Sequence, residues 1–298
     1  MKSTLVNVAI ADAYAMAWEF VEPAQAPVND WSGYRPNPNI ASYVPSKYSD
    51  DTMRSLINAQ VILERDPLNQ LDYVRVMKEE VRNDPRIGWS RGFRAYLAEQ
   101  ADRPDDEWFS AIRPRNTNGG VMGAAVCGFL DTPRDVIGAA ITQALITHDE
   151  EAATYAAACA MAFYGARTTV GDLRDLHAYA CSHVAGLSQL MPDLPRETPD
   201  RSMLASDAYA TALRILGECK DFRGILDRTI AHGGDTDSIA SVAVAIASAN
   251  PDFDDNYPGW ALDTLECGDI AALDRLVRTG SSLAKISRPD AEPAGPGD

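Results

Sequence analysis

Apolar side chains recur at helical spacing along most of this 298-residue chain. One such run consists of Met53, Leu56, Ile57 and Val61. These positions fall on one face of a helix with about 3.6 residues per turn, whereas a half-buried strand would need strict alternation of apolar and polar residues. Long alternating runs are missing, so the sequence predicts an all-α fold.

Capping signals mark the limits of the predicted helices. Thr132 can accept the hydrogen bond of an N-cap, and Pro133 and Asp135 suit the first helical turn. Many helices are rich in Ala and Gly, so their backbones can approach closely, and we expect a compact helical bundle. The predicted helices span residues 3–18, 50–65, 69–83, 120–130, 133–147, 150–164, 171–187, 202–217, 221–231, 236–249 and 269–279.

Two segments do not match a helical pattern. Residues 21–48 combine several prolines with aromatic residues, which predicts an ordered loop over a site rather than a disordered linker. The aromatic residues of this loop are Trp31, Tyr34, Tyr43 and Tyr48. The C-terminal stretch SRPDAEPAGPGD contains no apolar residue larger than Ala or Pro. We therefore predict a single domain over residues 1–285 and a disordered tail over 286–298.

Composition excludes several classes of function. The chain carries 43 acidic and 27 basic residues, for a net charge of −16, and its Lys and Arg residues form no cluster that could bind nucleic acid. Five scattered cysteines, none in a CxxC pair, are typical of reduced thiols rather than of a zinc site. No apolar run is long enough for a membrane span. We expect a cytoplasmic monomer with no nucleic-acid or membrane partner.

The first acidic motif is YSDDT, at the start of a predicted helix. Its polar residues are Ser49, Asp50, Asp51 and Thr52. Ser and Asp at a helix N-terminus commonly bond the free backbone N–H groups and favour the positive end of the helix dipole. The same oxygen atoms could instead bind a metal ion, so the motif alone leaves both interpretations open.

The second acidic motif, GGDTDSIA, places Asp235 and Asp237 where the chain enters a nearly uncharged helix. Asp235 or Asp237 could cap this helix, with the glycines forming a turn. At such an entry, however, a two-residue step can also direct both carboxylates the same way. A helix that is apolar or small on all sides should be central, and ionised carboxylates at its end are costly unless a positive group pairs with them. Residues 229–249 contain no Lys or Arg, so the sequence predicts a hard divalent cation such as Mg²⁺. Two acidic motifs could hold two such ions.

Four motifs together resemble one known family. The motifs SDDT, NGGVM, THDEEA and GGDTDSIA are similar, in order and approximate spacing, to those of the ADP-ribosylglycohydrolases, a superfamily that includes the dinitrogenase-reductase-activating glycohydrolases and the arginine and serine ADP-ribose hydrolases. The resemblance spans about residues 5–250. It implies an all-α fold with a centre of two Mg²⁺ or Mn²⁺ ions that cleaves the bond between C1 of the distal ribose and an acceptor atom.

The resemblance also implies roles for individual residues. Glu19, in the stretch ADAYAMAWE, matches a Glu that reaches the metal centre, and His148 matches a histidine near the site. The loop that cradles diphosphate or ribose in the family is matched by Asn118, Gly119 and Gly120. The family's metal-ligand positions are matched by Ser49, Asp50, Asp51, Asp235, Asp237 and Ser238.

The chain departs from the family pattern at four positions. Ala11 and Ala15 stand where the family has glycine, Ala17 stands where it has proline, and Gly123 stands where it usually has arginine. The metal-ligand positions are intact, whereas the substrate cradle is altered. The distal ribose could therefore be bound differently, or the acceptor could differ from a modified arginine or serine of a protein.

The histidines admit simpler interpretations. His148 is equally compatible with a hydrogen-bonded residue at a helix end, and we interpret His232 as structural. His177 and His183 lie six residues apart on a predicted surface helix, which is a poor spacing for binding a metal.

The resemblance implies a metal-dependent hydrolase of an ADP-ribosyl or ribosyl conjugate, in which a metal-bound water or a carboxylate such as Asp50, Asp51 or Glu19 handles protons. Its substrate would be an ADP-ribosylated protein or a small nucleotide-derived metabolite. A catalytically degenerate relative that only binds ADP-ribose is an alternative. Terpene synthases are also all-α with two acidic Mg²⁺ motifs, but DDTMR lacks the last acidic residue of DDxxD, and Ala245 stands where their second motif needs Glu.

Overall fold

The computed structural model describes residues 3–64, 68–198 and 201–286. Within these ranges the chain forms fourteen α-helices and no strand, which confirms the predicted all-α fold. The first seven helices are α1 (Thr4–Ala15), α2 (Asp50–Glu64), α3 (Gln70–Asn83), α4 (Arg91–Gln100), α5 (Trp108–Ala111), α6 (Pro133–Ala144) and α7 (Glu150–Thr168). The other seven are α8 (Leu176–His183), α9 (Leu187–Leu190), α10 (Ala205–Glu218), α11 (Phe222–His232), α12 (Thr236–Ala247), α13 (Gly259–Asp263) and α14 (Ile270–Ile286).

The centre of the bundle is α12. Every residue of this helix is buried, and it packs against α1, α2, α7, α10 and α11. Every residue of α1 is buried as well. Small side chains on these helices let the backbones approach closely. A helix surrounded by others has no exposed face for charged groups, which agrees with the nearly uncharged sequence of α12. The predicted central position of the uncharged helix is confirmed.

A second, smaller apolar cluster joins α2 and α3 to the segment that contains α4 and α5. Trp108 is fully buried there, and its Nε1 donates a hydrogen bond to the carbonyl of Ile146 at 2.6 Å. The sequence pattern did not predict α4, because its core positions Phe93 and Leu97 are separated by only one turn in a short, largely polar helix.

Glycines in the left-handed region divide two segments that were predicted to be continuous helices. In place of a helix over 120–130, the chain forms 3₁₀ helices at Asn118–Gly120 and Ala124–Phe129, separated near Gly123, which has φ = 72°. The predicted helix over 171–187 is likewise divided before Gly186, which has φ = 85°. A right-handed helix cannot continue through such a residue.

Residues 21–48 form an ordered loop, but the predicted position over a site was wrong. Trp31 stacks on Tyr14 of α1 with ring centroids 4.3 Å apart, and its Nε1 donates to Asp227 of α11 at 2.9 Å. The Tyr34 hydroxyl donates to the carbonyl of Ala261 in α13 at 2.7 Å. The aromatic side chains therefore attach the loop to the outside of these helices, and none of its residues lines the cavity at the acidic motifs.

The C-terminal helix α14 extends to Ile286, seven residues beyond its predicted end. The remainder of the predicted tail, residues 287–298, lies outside the described residues. None of the helices within the described ranges is both long and apolar enough to cross a membrane.

Two glycines provide a test of this packing. A Cβ at Gly123 would lie 2.7 Å from the carbonyl carbon of Arg54 and from the amide of Ser55, whereas Gly138 in α6 has no neighbouring atom within 4 Å of a Cβ. We expect Gly123→Ala to lower the free energy of unfolding by about 2 kcal/mol or more, from backbone strain and overpacking.

Gly138→Ala is the matched control, and it should raise the free energy of unfolding by about 0.5–1 kcal/mol, because Ala is the better helix former. Urea denaturation followed by circular dichroism measures both changes. Equal effects of the two substitutions would contradict the close contact between the turn at residue 123 and α2.

Candidate functional site

The first acidic motif is capped by a residue from another helix. Asp12 of α1 accepts hydrogen bonds from the backbone N–H groups of Ser49 and Thr52 at 2.9 and 3.0 Å and from the Thr52 hydroxyl at 2.6 Å. The Ser49 hydroxyl makes a longer contact, accepting from the Asp51 N–H at 3.3 Å. Asp12 thus provides the main cap of α2, and the carboxylates of the motif itself are available for another role.

The second acidic motif follows a turn that requires glycine. Gly233 and Gly234 have φ angles of 78° and 74°, which L side chains rarely adopt. The carbonyl of Gly234 accepts the N–H of Phe20 at 2.7 Å, and the Thr236 hydroxyl donates to the carbonyl of Ala15 at 2.8 Å. These two contacts bring the end of α1, and with it Glu19, to the start of α12.

Three carboxylates converge at this junction. One oxygen from each of Glu19, Asp235 and Asp237 lies within 4.8 Å of the other two. Asp235 occupies the N-cap position of α12 but makes no capping hydrogen bond with its side chain. The convergence of the two aspartates predicted from their spacing is therefore present, and the capping interpretation of Asp235 is excluded.

The two acidic motifs are adjacent in space. The hydroxyls of Ser238 and Ser49 donate to Asp51 Oδ2 at 3.3 and 3.4 Å. Asp50 is held by its own N–H, which donates to the carbonyl of Ile87 at 3.0 Å. Gly88 follows, and a Cβ on it would overlap the Asp50 carboxylate. All six residues predicted as metal ligands thus lie in one region, which Glu19 joins.

Several oxygens in this region have no partner. Glu19 Oε2, Asp51 Oδ1 and Asp237 Oδ1 are buried and make no hydrogen bond with the described residues. Buried carboxylate oxygens without donors are costly, and hard oxygen ligands of this kind suit Mg²⁺ or Mn²⁺. The residues present fit a divalent cation, and the group formed by Glu19, Asp235 and Asp237 could hold one.

Burial, and secondly repulsion between neighbouring carboxylates, raises the pKa values of Glu19, Asp50, Asp51 and Asp237. Burial, with the negative charges of Asp235 and Asp50 nearby, raises the pKa of Glu19 from 4.5 to about 8. Burial also raises the pKa values of Asp50, Asp51 and Asp237 well above the usual range. In each case desolvation is the larger cause and repulsion between like charges adds to it.

The loop with Asn118 supports the cluster. The Asn118 side-chain amide donates to Asp235 Oδ2 at 2.8 Å, so this residue orients a carboxylate of the site. Gly119 and Gly120 allow the loop to pack closely on His148: their Cβ positions would lie 3.0 Å from its Nε2 and 3.3 Å from its Cγ. This close approach explains why the sequence has two glycines here.

His148 is buried beneath this loop. Its Nε2 lies 3.0 Å from the hydroxyl of Thr117 and its Nδ1 lies 2.6 Å from that of Thr147. Burial lowers the pKa of His148 to about 3, so the ring is neutral, and one nitrogen donates while the other accepts. His148 lines the cavity, with both ring nitrogens engaged by threonines.

The remaining histidines do not belong to the site. His177 is buried, in contrast to its predicted surface position, because its Nδ1 contacts the Tyr209 hydroxyl and its Nε2 contacts the carbonyl of Met191, both at 3.1 Å. His183 is exposed, and His232 is the last residue of α11. None of the three lines the cavity.

A cavity of about 320 Å³ opens at the acidic cluster. The carboxylates occupy one part of its wall, and the segment from Gly88 to Met122 supplies much of the rest. Most of this wall could not be predicted from the sequence, because its residues belong to no recognisable motif. The wall residues that no motif indicated include Arg54, Trp89, Phe93, Tyr96, Arg113 and Arg115.

Comparisons with known proteins agree with this architecture. The family model for ADP-ribosylglycohydrolases matches residues 1–282. A solved structure described as an ADP-ribosylglycohydrolase-related protein complex is similar, with a TM-score of 0.73 and 21% sequence identity over 96% of this chain and 97% of that chain. At this identity the structural similarity shows a shared fold. Among the curated proteins, none matches this chain.

The acidic cluster predicts how metal affects stability. Saturating Mg²⁺ or Mn²⁺ should raise the melting temperature of the protein by about 5 °C or more at 100 times the dissociation constant, because the ion binds the folded state. Asp237→Asn should remove this increase and leave the metal-free protein at least as stable, since it relieves repulsion. Asp263→Asn, at an exposed position of α13, is the control. An unchanged metal response in Asp237→Asn would contradict the proposed metal position.

The raised pKa of Glu19 predicts a pH dependence. The folded state holds this proton up to about pH 8, while the unfolded state releases it near pH 4.5. The contribution of this proton to the free energy of unfolding is therefore fully present below pH 4.5 and is lost as the pH rises through about 8. In EDTA, the melting temperature of the wild type should fall more steeply between pH 5 and 8 than that of Glu19→Gln. Parallel profiles would show that Glu19 titrates normally.

Proposed function

The chain belongs to the ADP-ribosylglycohydrolase family, and we propose on that basis that it is a divalent-metal-dependent hydrolase that cleaves the glycosidic bond of an ADP-ribosyl or ribosyl conjugate. The observation that carries this proposal is the convergence of Glu19, Asp235 and Asp237 at the wall of an open cavity. Unpartnered carboxylate oxygens at such a place are costly to the fold unless they bind a ligand.

We propose that the region holds two Mg²⁺ or Mn²⁺ ions. When bound, the ions would supply Lewis acidity toward ribose oxygens and toward water. The chain supplies only oxygen donors here, and Asn118 fixes the orientation of Asp235 through its side-chain amide. The proposed ligands are Ser49, Asp50, Asp51, Asp235, Asp237 and Ser238.

Proton transfer is assigned to Glu19, Asp50 and Asp51. Cleavage of a glycosidic bond needs one group that protonates the leaving atom and one that takes a proton from water, and carboxyl groups serve both purposes. Burial and the neighbouring carboxylates raise the pKa of Glu19 in the metal-free protein, and a bound cation would oppose that rise. Glu19 is less buried than the aspartates, so it is the best placed of the three to meet a leaving group.

Two classes of substrate fit the cavity. An ADP-ribosylated protein could reach it from the open side, where Arg113 and Arg115 are exposed. The cavity volume of about 320 Å³ is at the small end of the range for small-molecule sites, which supports a nucleotide-derived metabolite as the second candidate. Binding of ADP-ribose without hydrolysis is the third candidate, although it gives no reason to keep so many buried carboxylates together.

A panel of conjugates tests the proposal. The protein is incubated in Mg²⁺ or Mn²⁺ with ADP-ribosyl-arginine, ADP-ribosyl-serine, O-acetyl-ADP-ribose and small N-ribosides, and released sugar is measured by mass spectrometry. We expect metal-dependent release that falls by at least about a thousandfold in Asp237→Asn, because the substitution removes a ligand of the reacting centre. The control Asp263→Asn should keep wild-type activity.

The outcomes separate the candidates. Release from an ADP-ribosyl amino acid would support a protein substrate, and release from small ribosides alone would support a metabolite. Measurable affinity for ADP-ribose with no turnover in either metal would favour the binding-only relative. Full activity in Asp237→Asn would contradict the assigned centre.

A further inference from the structure

The wall of the cavity contains a buried arginine that the proposed hydrolysis does not use. Arg54 lies in α2, four residues after Asp50, and is only 3% exposed. Its Nη2 donates a hydrogen bond to the Thr147 hydroxyl at 3.0 Å. Within the described part of the chain it forms no ion pair with a carboxylate, so the negative charges of the acidic motif attract it without contacting it.

Most of the hydrogen-bonding capacity of this guanidinium is unused. Arginine has five N–H donors, and Thr147 accepts from one nitrogen only. No described residue accepts a hydrogen bond from Nε or Nη1 of Arg54, and the side chain lines the cavity. A buried charge with free donors is costly unless an anion or water from the cavity satisfies it.

The surroundings of Arg54 favour an anionic ligand. Its guanidinium carbon lies 5.7 Å from the centre of the Trp89 ring, and its Nη1 lies close to Gly119 in the loop above His148. Arg113 and Arg115 line the same cavity, are exposed, and make no ion pair with a described residue. The cavity wall therefore contains basic as well as acidic side chains.

Gly123 leaves no space for a side chain beside Arg54. Here Gly123 has φ = 72°, and a Cβ on it would lie 2.7 Å from the backbone of Arg54. This turn has no room for a side chain against α2, whereas α2 itself directs a guanidinium into the cavity from the residue that Gly123 contacts.

We infer that Arg54 binds an oxyanion of the ligand, a phosphate or a carboxylate, next to the acidic cluster. A guanidinium binds such groups with two parallel hydrogen bonds, and Thr147 and Trp89 fix its plane. The identity of the ligand as a substrate rests on the proposed function, but the binding of an oxyanion does not.

Calorimetric titration in saturating Mg²⁺ tests this inference with ADP, ADP-ribose and the uncharged ligand adenosine. Arg54→Met should raise the dissociation constants of ADP and ADP-ribose by about 10- to 100-fold, because charge-assisted hydrogen bonds are lost. The dissociation constant of adenosine should not change. Arg54→Lys should give an intermediate loss, because it keeps the charge but not the paired donors. Arg167→Met is the matched control, since Arg167 is a partly buried arginine outside the cavity.

Two measurements remain decisive if Arg54→Met fails to fold. Thr147→Val removes the hydroxyl that orients the guanidinium. It should therefore weaken the binding of ADP but not the binding of adenosine. In the wild type, the dissociation constant of ADP should rise with salt concentration while that of adenosine stays constant. The inference would be overturned if the variants lost equal affinity for ADP and adenosine, or if they lost no affinity for either ADP or acetate.

The source of the oxyanion is identified by two probes. ADP represents the phosphates of a nucleotide, and acetate, measured by competition through tryptophan fluorescence, represents a carboxylate on the leaving group. The probe that the Arg54→Met variant binds more weakly than the wild type does identifies the source of the oxyanion. These assays need no turnover, so a protein that binds ADP through Arg54 but hydrolyses no conjugate would contradict the proposed hydrolase and support this inference.

Discussion

The site depends on a fold that holds several buried carboxylates close together although their negative charges repel one another. Glu19, Asp51 and Asp237 each have a buried oxygen without a hydrogen-bond partner in the described part of the chain, and burial raises the pKa of all three. Carboxylates placed so close together stabilise a fold only when protons or cations neutralise them. The segments that carry them must therefore resist separation, which agrees with the complete burial of α12 and of α1, the helix that precedes Glu19.

Polar contacts between distant parts of the chain provide that resistance. Asp12 in α1 caps α2, and the Thr236 hydroxyl bonds the end of α1 to the start of α12. Asn37, in the loop over residues 21–48, donates to the carbonyls of Met16 and Glu19 at 2.8 and 3.0 Å. The loop thus supports the site from behind instead of covering it. Its aromatic residues attach it firmly enough to position a backbone that carries a functional carboxylate.

The sequence predicted the acidic motifs better than it predicted the residues of the cavity wall. The acidic residues could be assigned because a carboxylate beside an uncharged helix needs a partner wherever the helix packs. Arg54, Gly88 and Trp89 could not be assigned, because an arginine in an amphipathic helix or a glycine in a loop has many possible environments. The role of Asp12 was hidden for a similar reason, since its capping partners lie 37 and 40 residues further along the chain.

The sequence by itself determined the all-α class, the central position of α12 and the convergence of Asp235 with Asp237. These features follow from local periodicity, from the absence of charge and from a two-residue step at a helix start. Only the tertiary structure decided which contacts bring Glu19, whose role the family resemblance implied, to the two aspartates, and that arginines line the same cavity. Those features depend on which helices pack together, and packing is set by the shapes of many small side chains acting together, which no single stretch of sequence contains.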